Sequence, residues 1–174
     1  MSGTEHDVAD LRSRDAAAGE SVERRQCLLA TIAGELYAFD LLSIKEILRT
    51  AKKERAPGAP DFVAGLINLR GEIVTVLDAA RLLGIREGAK AGSNGTAGGG
   101  ERAVEARIVV LEGSNQTIGI QVENLEEVVD YDPARVQPAD PEHRGGADQY
   151  ITGLIALEGG KLVILMNADA LCDG

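Results

Sequence analysis

Histidine and carboxylate side chains would carry any acid–base or metal chemistry in this sequence, and they are sparsely arranged. The two histidines are His6, near the N-terminus, and His143, which follows Asp140 and Glu142. An imidazole beside carboxylates can hold a divalent metal, but this spacing matches no established ligand motif and is also typical of a solvated turn. No nucleophile lies beside a base in a recognisable catalytic order. The sequence therefore predicts neither catalysis nor a bound metal.

Glycine and cysteine motifs lead to the same expectation. The glycines at 98–100 are followed by Glu101-Arg102, where a nucleotide-binding P-loop needs Lys and then Ser or Thr. Cys27 and Cys172 are too far apart in sequence for a metal or dithiol motif, so we expect buried free thiols. The sequence thus indicates no cofactor.

Charged and apolar residues alternate in the first half in a way that suits recognition. The segment Ile44 to Arg49 interleaves the two types, and Asn68-Leu69-Arg70-Gly71 places a cation at the tip of a predicted hairpin. The equivalent position in the second half is Glu158 or a neighbouring glycine, so a shared backbone does not require arginine there. Arg70 could serve recognition, or it could form an exposed salt bridge with Glu46. The residues alone leave both open.

The composition excludes several classes of partner. The chain has 174 residues, with 28 Asp and Glu against 18 Lys and Arg, and a net charge of −10. That charge argues against nucleic acid and anionic lipid as partners. Apolar stretches fall well short of the ~18 residues of a membrane span. Residues 1–25 are acidic and lack an apolar secretory region, which indicates a flexible tail on a cytoplasmic protein.

Two segments recur in the same order in both halves, which indicates an internal duplication. The stretch from Gly65 to Asp78 resembles that from Gly153 to Asn167, and Leu36 to Asp40 resembles Thr117 to Gln121 at an offset of 81 residues. Between the halves, residues 87–103 are rich in glycine and predict a coil linker.

Short strands and tight turns dominate both halves. Gly34-Glu35 is a two-residue hairpin signal, and Asp78 and Asn167 are predicted N-caps of brief helices. Many short strands separated by glycine turns favour small closed barrels. We therefore predict a mainly β fold of two small barrels packed side by side, the first at about 26–86 and the second at about 104–174.

Several of these segments together resemble the CheW family of chemotaxis coupling proteins. The resemblance is carried by Pro57-Gly58-Ala59-Pro60-Asp61-Phe62-Val63-Ala64-Gly65-Leu66-Ile67-Asn68-Leu69-Arg70-Gly71-Glu72-Ile73-Val74 with Asp78, and by Glu35 to Asp40, Gly119 to Glu123 and Tyr150 to Leu154. It covers nearly everything outside the tail, so we expect a CheW-like domain over residues 26–174. Thr75 stands where the family often has proline, and Ala79 where it often has leucine.

The resemblance implies both a fold and a function. The fold would be two SH3-like five-stranded barrels around a shared hydrophobic seam. The function would be non-catalytic: an adaptor linking chemoreceptors (methyl-accepting chemotaxis proteins) to the histidine kinase CheA, whose regulatory domain is built like CheW. The protein would be cytoplasmic and recruited to membrane-associated receptor arrays. The positions that match the family's receptor contacts are Leu41, Ile44, Glu46, Arg70 and Ile108.

Two alternatives remain at this stage. The chain could couple receptors in a non-flagellar pathway such as pilus motility, with the same mechanism and different partners. It could instead bind a small molecule, or act as an enzyme, in the groove between the barrels. The candidate polar groups for that groove are Asp40, Glu46, Arg70 and Asp78.

Overall fold

The computed structural model describes residues 22–49, 51–85, 106–139 and 147–173. The predicted linker at 87–103 and the cluster around His143 lie outside the described residues, as do residues 1–21 of the predicted tail.

The described ranges form the strands β1 (Arg25–Ile32), β2 (Glu35–Asp40), β3 (Ile44–Leu48), β4 (Val63–Leu69), β5 (Glu72–Asp78), β6 (Arg107–Glu112), β7 (Thr117–Val122), β8 (Asn124–Tyr131), β9 (Ile151–Ala156) and β10 (Leu162–Met166). They also form the helices α1 (Ala79–Leu82) and α2 (Ala168–Asp173), and the 3-10 turns η1 (Leu41–Ser43), η2 (Pro133–Arg135) and η3 (Asp148–Tyr150). None of the described helices is long and apolar enough to cross a membrane.

The strands assemble into two five-stranded sheets. Sheet A has the order β8-β1-β2-β10-β9, and sheet B has the order β3-β6-β7-β5-β4. Neighbouring strands are antiparallel except for the parallel pairs β2–β10 and β5–β7. The prediction of a mainly β fold with two five-stranded units and a few short helices is confirmed.

The boundaries predicted for the two barrels are wrong, because the halves exchange strands. Sheet A combines β1 and β2 from the first half with β8, β9 and β10 from the second. Sheet B combines β3, β4 and β5 from the first half with β6 and β7 from the second. Neither sheet therefore corresponds to residues 26–86 or to residues 104–174. A repeat has the same local pattern whether its copies stand side by side or exchange strands, so the pattern could not distinguish the two.

The duplication is visible in the hydrogen bonds that cover the outer hairpin strands. In sheet B the amide of Leu66 donates to the carbonyl of Glu54, and the Glu54 amide donates back to Leu66, both at 2.8 Å. In sheet A, Leu154 and Gln137 exchange the equivalent pair of bonds at 2.7 and 2.9 Å. Each sheet thus covers the edge of its last strand with a single bridge from the preceding segment.

Both predicted helix caps are present. The Asp78 carboxylate accepts from the Arg81 amide at 3.1 Å at the start of α1. The Asn167 side-chain oxygen accepts from the Ala170 amide at 3.1 Å at the start of α2. These bonds satisfy amides that the first turn of a helix leaves without an intrahelical partner.

The β1–β2 turn lies one residue earlier than predicted. Ala33 and Gly34 form it, with φ of 49° and 77°, and Glu35 already belongs to β2. Two successive positive φ values match the tight hairpin turn that follows the twist of the strands. The Glu123 carboxylate accepts from the Ala33 and Gly34 amides at 2.9 and 3.3 Å, which holds the turn to the start of β8.

The apolar side chains of the described ranges form three cores. The alternation along β1 shows why: Leu28, Ala30 and Ile32 join a core that draws on both sheets, while Cys27 and Leu29 face a smaller core within sheet A. The shared core includes Tyr37, Phe39, Leu77, Val109, Leu111, Ile118, Ile120 and Leu171. The core of sheet A also contains Ala38, Tyr131, Ile155, Val163 and Leu165, and that of sheet B contains Ile67, Val74, Val76, Ile108 and Val110. Strands buried on both faces fix the two sheets as one unit around a common seam.

Candidate interaction surface

One end of sheet B brings together most of the residues singled out from the sequence. The strand directions place the start of β3, the end of β4 and the start of β5 at this same end. We name it the η1–β3 surface and define it by Leu41, Leu42, Ile44, Glu46, Ile47 and Arg70.

Arg70 stands at the tip of the β4–β5 hairpin in a left-handed backbone conformation. Its φ is 54°, and that of Gly71 is 90°, which again matches the two-residue turn with positive φ at both positions. The Asn68 side chain accepts from the Gly71 amide at 2.8 Å and braces the turn. A left-handed conformation costs a residue with a Cβ about 1–2 kcal/mol. The side chain of Arg70 is 81% exposed, so packing does not account for arginine here.

The salt bridge considered from the sequence is present. An Nη of Arg70 lies 3.2 Å from Oε1 of Glu46. An exposed pair of this kind contributes only ~0–1 kcal/mol, because solvent screens it and both side chains lose freedom. The pair therefore places the guanidinium near β3, and the other N–H groups of Arg70 can still donate to a second carboxylate.

Lys45 makes a second link at the same end. Its ammonium lies 3.5 Å from the Glu72 carboxylate and 3.6 Å from that of Glu112. β3 and the β4–β5 hairpin stand at opposite edges in the strand order of sheet B. The Lys45–Glu72 and Arg70–Glu46 contacts therefore link β3, at one edge of the sheet order, to the β4–β5 hairpin at the other.

The apolar part of the surface has an inner and an outer layer. Leu41 and Ile44 are half-buried and pack against the shared core. Leu42 is 84% exposed and Ile47 is 42% exposed. Exposed apolar side chains rimmed by charge are typical of protein interaction sites. Leu41, Ile44, Glu46 and Arg70 thus lie where a partner could contact them or the residues beside them.

Ile108 does not belong to this surface. It is only 2% exposed, and its side chain lies in the core of sheet B with Val110. In the antiparallel β3–β6 pair it lies opposite Leu48, which packs against the same core. A partner docked on the exterior cannot contact it, so the expectation that Ile108 is a contact residue fails on burial.

The four polar groups proposed for a ligand groove do not form one site, although Glu46 and Arg70 pair with each other. Asp78 ends β5, six strand positions beyond Glu72 and thus roughly 20 Å from the Arg70 turn. It caps α1, and none of the four groups lines the apolar groove beside β2 and β9. That groove, of about 1010 Å³, is lined mainly by apolar residues such as Tyr37, Ile151 and Leu162. Among the described residues no His, Cys, Asp and Glu side chains cluster as metal ligands.

Both cysteines are buried free thiols, as expected. Burial raises the pKa of the Cys27 thiol to about 11, with the Asp40 and Asp130 carboxylates adding to the effect. Burial also raises the pKa of Cys172. A thiol nucleophile needs a lowered pKa and access to solvent, so neither cysteine is suited to catalysis.

A cluster around Asp40 was not anticipated. One carboxylate oxygen accepts from the Leu42 amide at 2.9 Å, at the start of η1. The other accepts from the Tyr131 hydroxyl at 2.8 Å and lies 3.6 Å from an Nη of Arg25. Asp40 and Tyr131 are separated by 91 residues, and no local spacing predicts their contact. Burial, together with the bond to Asp40, raises the pKa of Tyr131 to about 12.

Similarity to characterised proteins covers most of the chain. The family model for the CheW-like domain matches residues 26–174. A chemotaxis protein CheW of Klebsiella aerogenes is 29% identical over 164 residues, which is 94% of this chain and 90% of that protein. A chemotaxis protein CheW of Treponema pallidum is 25% identical over 143 residues, covering 82% of this chain and 79% of that protein.

A solved structure shares the fold. The scaffolding protein TtCheW of Thermoanaerobacter tengcongensis superposes with a TM-score of 0.65 at 26% identity, covering 82% of this chain and 88% of that one. The two five-stranded sheets and the sequence match over residues 26–174 agree with the resemblance noted in the sequence. The chain therefore belongs to the CheW-like domain family.

Proposed function

We propose that this protein is a non-catalytic adaptor that couples chemoreceptors to a CheA-type histidine kinase in chemotaxis signal transduction. The observation that carries the proposal is the η1–β3 surface on a chain of the CheW-like domain family. At that end of sheet B an exposed arginine at positive φ pairs with Glu46 of β3, the strand that also carries exposed Ile47 and follows exposed Leu42. An exposed arginine in a strained backbone conformation does not stabilise a hairpin tip, so its presence there is better explained by recognition of a partner.

The adaptor acts by holding two proteins close together. Binding the cytoplasmic tip of a receptor on one face and the kinase regulatory domain on another raises the effective concentration of kinase near receptor. No bond is made or broken by the chain itself. The receptor-bound adaptor would be recruited to membrane-associated receptor arrays without inserting into the lipid.

Within the η1–β3 surface the two kinds of side chain have different tasks. Leu42 and Ile47 offer apolar area that a receptor helix would cover, which supplies affinity. The Arg70–Glu46 pair stands at the rim and would set register and partner choice more than affinity. An interface of about 1,200–2,000 Å² in total would be large enough for a specific complex that still dissociates.

The proposal is tested by reversing the charge at the hairpin tip. Arg70→Glu places two carboxylates side by side, so binding to a receptor cytoplasmic fragment should weaken at least tenfold, which corresponds to about 1.4 kcal/mol. The free energy of unfolding should change by less than about 0.5 kcal/mol, because only an exposed pair is lost. Isothermal titration calorimetry and urea unfolding measure the two quantities.

The matched control is Glu158→Arg, at the loop equivalent to the Arg70 turn in the other sheet. It should leave receptor binding unchanged. Unaltered affinity of the Arg70→Glu variant would remove the η1–β3 surface from the receptor interface. Loss of the folded state would instead make Arg70 a structural residue.

Copurification identifies the pathway. The native receptor and kinase that accompany the wild-type chain would assign it either to flagellar chemotaxis or to another chemosensory pathway such as pilus motility.

A further inference from the structure

We infer that Asp40 is a positioning residue for the receptor-binding surface: its carboxylate holds η1 in the conformation that presents Leu42. This inference rests on the proposed function and adds a residue that touches no partner. It is carried by the contacts of the two carboxylate oxygens, which reach parts of the molecule far apart in sequence.

The first oxygen fixes the start of η1. It accepts from the Leu42 amide at 2.9 Å, which makes Asp40 the N-cap of the turn. The last residue of the turn is followed by Ile44, whose amide donates to the Leu41 carbonyl. A turn of three residues has few internal hydrogen bonds, so its cap makes up a large share of what orders it.

The second oxygen fixes Asp40 itself. It accepts from the Tyr131 hydroxyl at 2.8 Å, and Arg25 lies 3.6 Å away. The Asp40 side chain is 16% exposed, and Tyr131 is buried in the core of sheet A. Hydrogen bonds to a carboxylate shielded from water are stronger than exposed ones. The carboxylate is therefore held by β8 on one side and holds η1 on the other.

Leu42 is the residue of η1 that most needs a fixed backbone, because its side chain lies in solvent. Its side chain is 84% exposed, whereas Leu41 on the same turn packs against the shared core. A side chain that is mobile before binding loses conformational entropy when a partner covers it, which weakens the complex. Fixing its backbone in advance lowers that cost.

The second copy of the repeat serves as an internal control. Gln121 is the equivalent of Asp40 at the offset of 81 residues, and its side chain accepts from the ammonium of Lys53. After it, β7 ends at Val122 and β8 begins at Asn124, so Glu123 alone joins the two strands. The repeat thus crosses between sheets there without a 3-10 turn. The fold does not require the carboxylate at this position, which leaves presentation of η1 as its task.

The test compares three variants of the full chain for binding to a receptor cytoplasmic fragment and for hydrogen exchange of the Leu42 amide. Asp40→Ala removes both contacts and should weaken binding about tenfold while the Leu42 amide exchanges faster. Asp40→Asn keeps an oxygen that can cap the turn and should restore binding to within about threefold of wild type. Gln121→Ala, the matched control, should leave both measurements unchanged.

Tyr131→Phe serves if Asp40→Ala does not fold. It removes one bond to the carboxylate and keeps the ring, so binding should weaken by roughly twofold to fivefold. The inference is overturned if Asp40→Ala, or Tyr131→Phe in its place, binds like the wild-type chain. It is also overturned if Asp40→Asn binds as weakly as Asp40→Ala, since the charge and not the placement of η1 would then matter.

Arg70→Glu in the same binding assay distinguishes failure of the proposed function from failure of the positioning role of Asp40. If it weakens binding while the Asp40 variants do not, the proposed function stands and the positioning role falls. If the wild-type chain binds no receptor fragment, the proposed function and this inference fall together.

Discussion

The two sheets follow one plan in their backbones and differ in what they display. In sheet B the outer strand β3 lies beside a hairpin whose tip carries Arg70. In sheet A the outer strand β8 occupies the equivalent place, and the equivalent hairpin loop has Glu158 followed by Gly159 and Gly160. Since the same strand order forms with either loop, the cation is not part of what makes the sheet fold.

The outer strands β3 and β8 also share their apolar positions and differ in their charges. Ile44 and Ile47 of β3 correspond to Leu125 and Val128 of β8 at the offset of 81 residues, so the apolar positions are kept. Lys45 corresponds to Glu126, where the charge is reversed. Ile44 and Leu125 pack against the shared core, while the charges beside them are free to differ between the two sheets.

The largest effect should come from adding a side chain at the glycines that pack against the Glu54–Leu66 and Gln137–Leu154 bridges, one in each sheet. A Cβ at Gly65 would lie 2.7 Å from the Glu54 carbonyl oxygen, and one at Gly153 would lie 2.4 Å from that of Gln137. Gly65→Ala and Gly153→Ala should each lower the free energy of unfolding by about 2–4 kcal/mol, because backbone must move. Urea unfolding measures the loss.

Gly159→Ala is the control for this pair. Its Cβ would meet nothing within 4 Å, so only the strain of its φ of 84° is added, about 1–2 kcal/mol. A loss at Gly65 or Gly153 no larger than at Gly159 would show that the bridges do not hold the sheets.

The next largest effect should be a difference in receptor binding between variants of the two outer strands, β3 and β8. Ile47 is 42% exposed and Val128 is 48% exposed. Ile47→Ser should weaken binding of a receptor fragment about fivefold to tenfold through lost apolar area, and Val128→Ser should leave it unchanged. Surface plasmon resonance with both variants measures the difference, and equal losses would contradict the assignment of the receptor to β3.

High pH should weaken sheet A in particular. Burial raises the pKa of Tyr37 and of Tyr131 to about 12, above the ordinary value near 10. Each phenol is thus more readily ionised in the unfolded chain, so its stabilising contribution is complete below about pH 10 and is lost as the pH rises toward 12. Denaturant unfolding between pH 9 and 12 should show this decline, less steep in Tyr131→Phe. An identical slope in that variant would exclude Tyr131 as a source.

The smallest effect should be a gain in stability at the hairpin tip. Asn adopts the left-handed conformation more readily than Arg, and Asn-Gly is the favoured pair for this turn. Arg70→Asn should therefore raise the free energy of unfolding by roughly 0.3–1 kcal/mol while receptor binding weakens. Thermal unfolding with parallel binding assays checks both, and a loss of stability would show that the Arg70–Glu46 pair outweighs the strain.

Local structure could be predicted from the sequence because local residues determine it. The Asp78 and Asn167 caps, the glycine turns and the short strands depend on neighbours a few positions away. The family resemblance also supplied four of the six residues of the η1–β3 surface, of which Arg70 and Glu46 are in contact. The other two, Leu42 and Ile47, were found only from their exposure in the structure.

What could not be predicted depends on contacts between distant parts of the chain. The exchange of strands leaves every local pattern unchanged, and Asp40 meets Tyr131 across 91 residues. The burial of Ile108 was readable in part, because Ile108 to Leu111 are four successive apolar residues and such a run is typical of a strand buried on both faces. The resemblance alone did not reveal that β6 is an inner strand, paired on both sides.

An adaptor of the proposed kind must physically bridge receptor and kinase. Bridging can be measured by sedimenting a CheA-type kinase with receptor-containing vesicles while the chain is titrated. Sedimented kinase should rise with added chain and fall again at large excess, when separate copies saturate each partner, and Arg70→Glu should abolish the rise. Kinase sedimentation that is the same with and without the chain would exclude bridging.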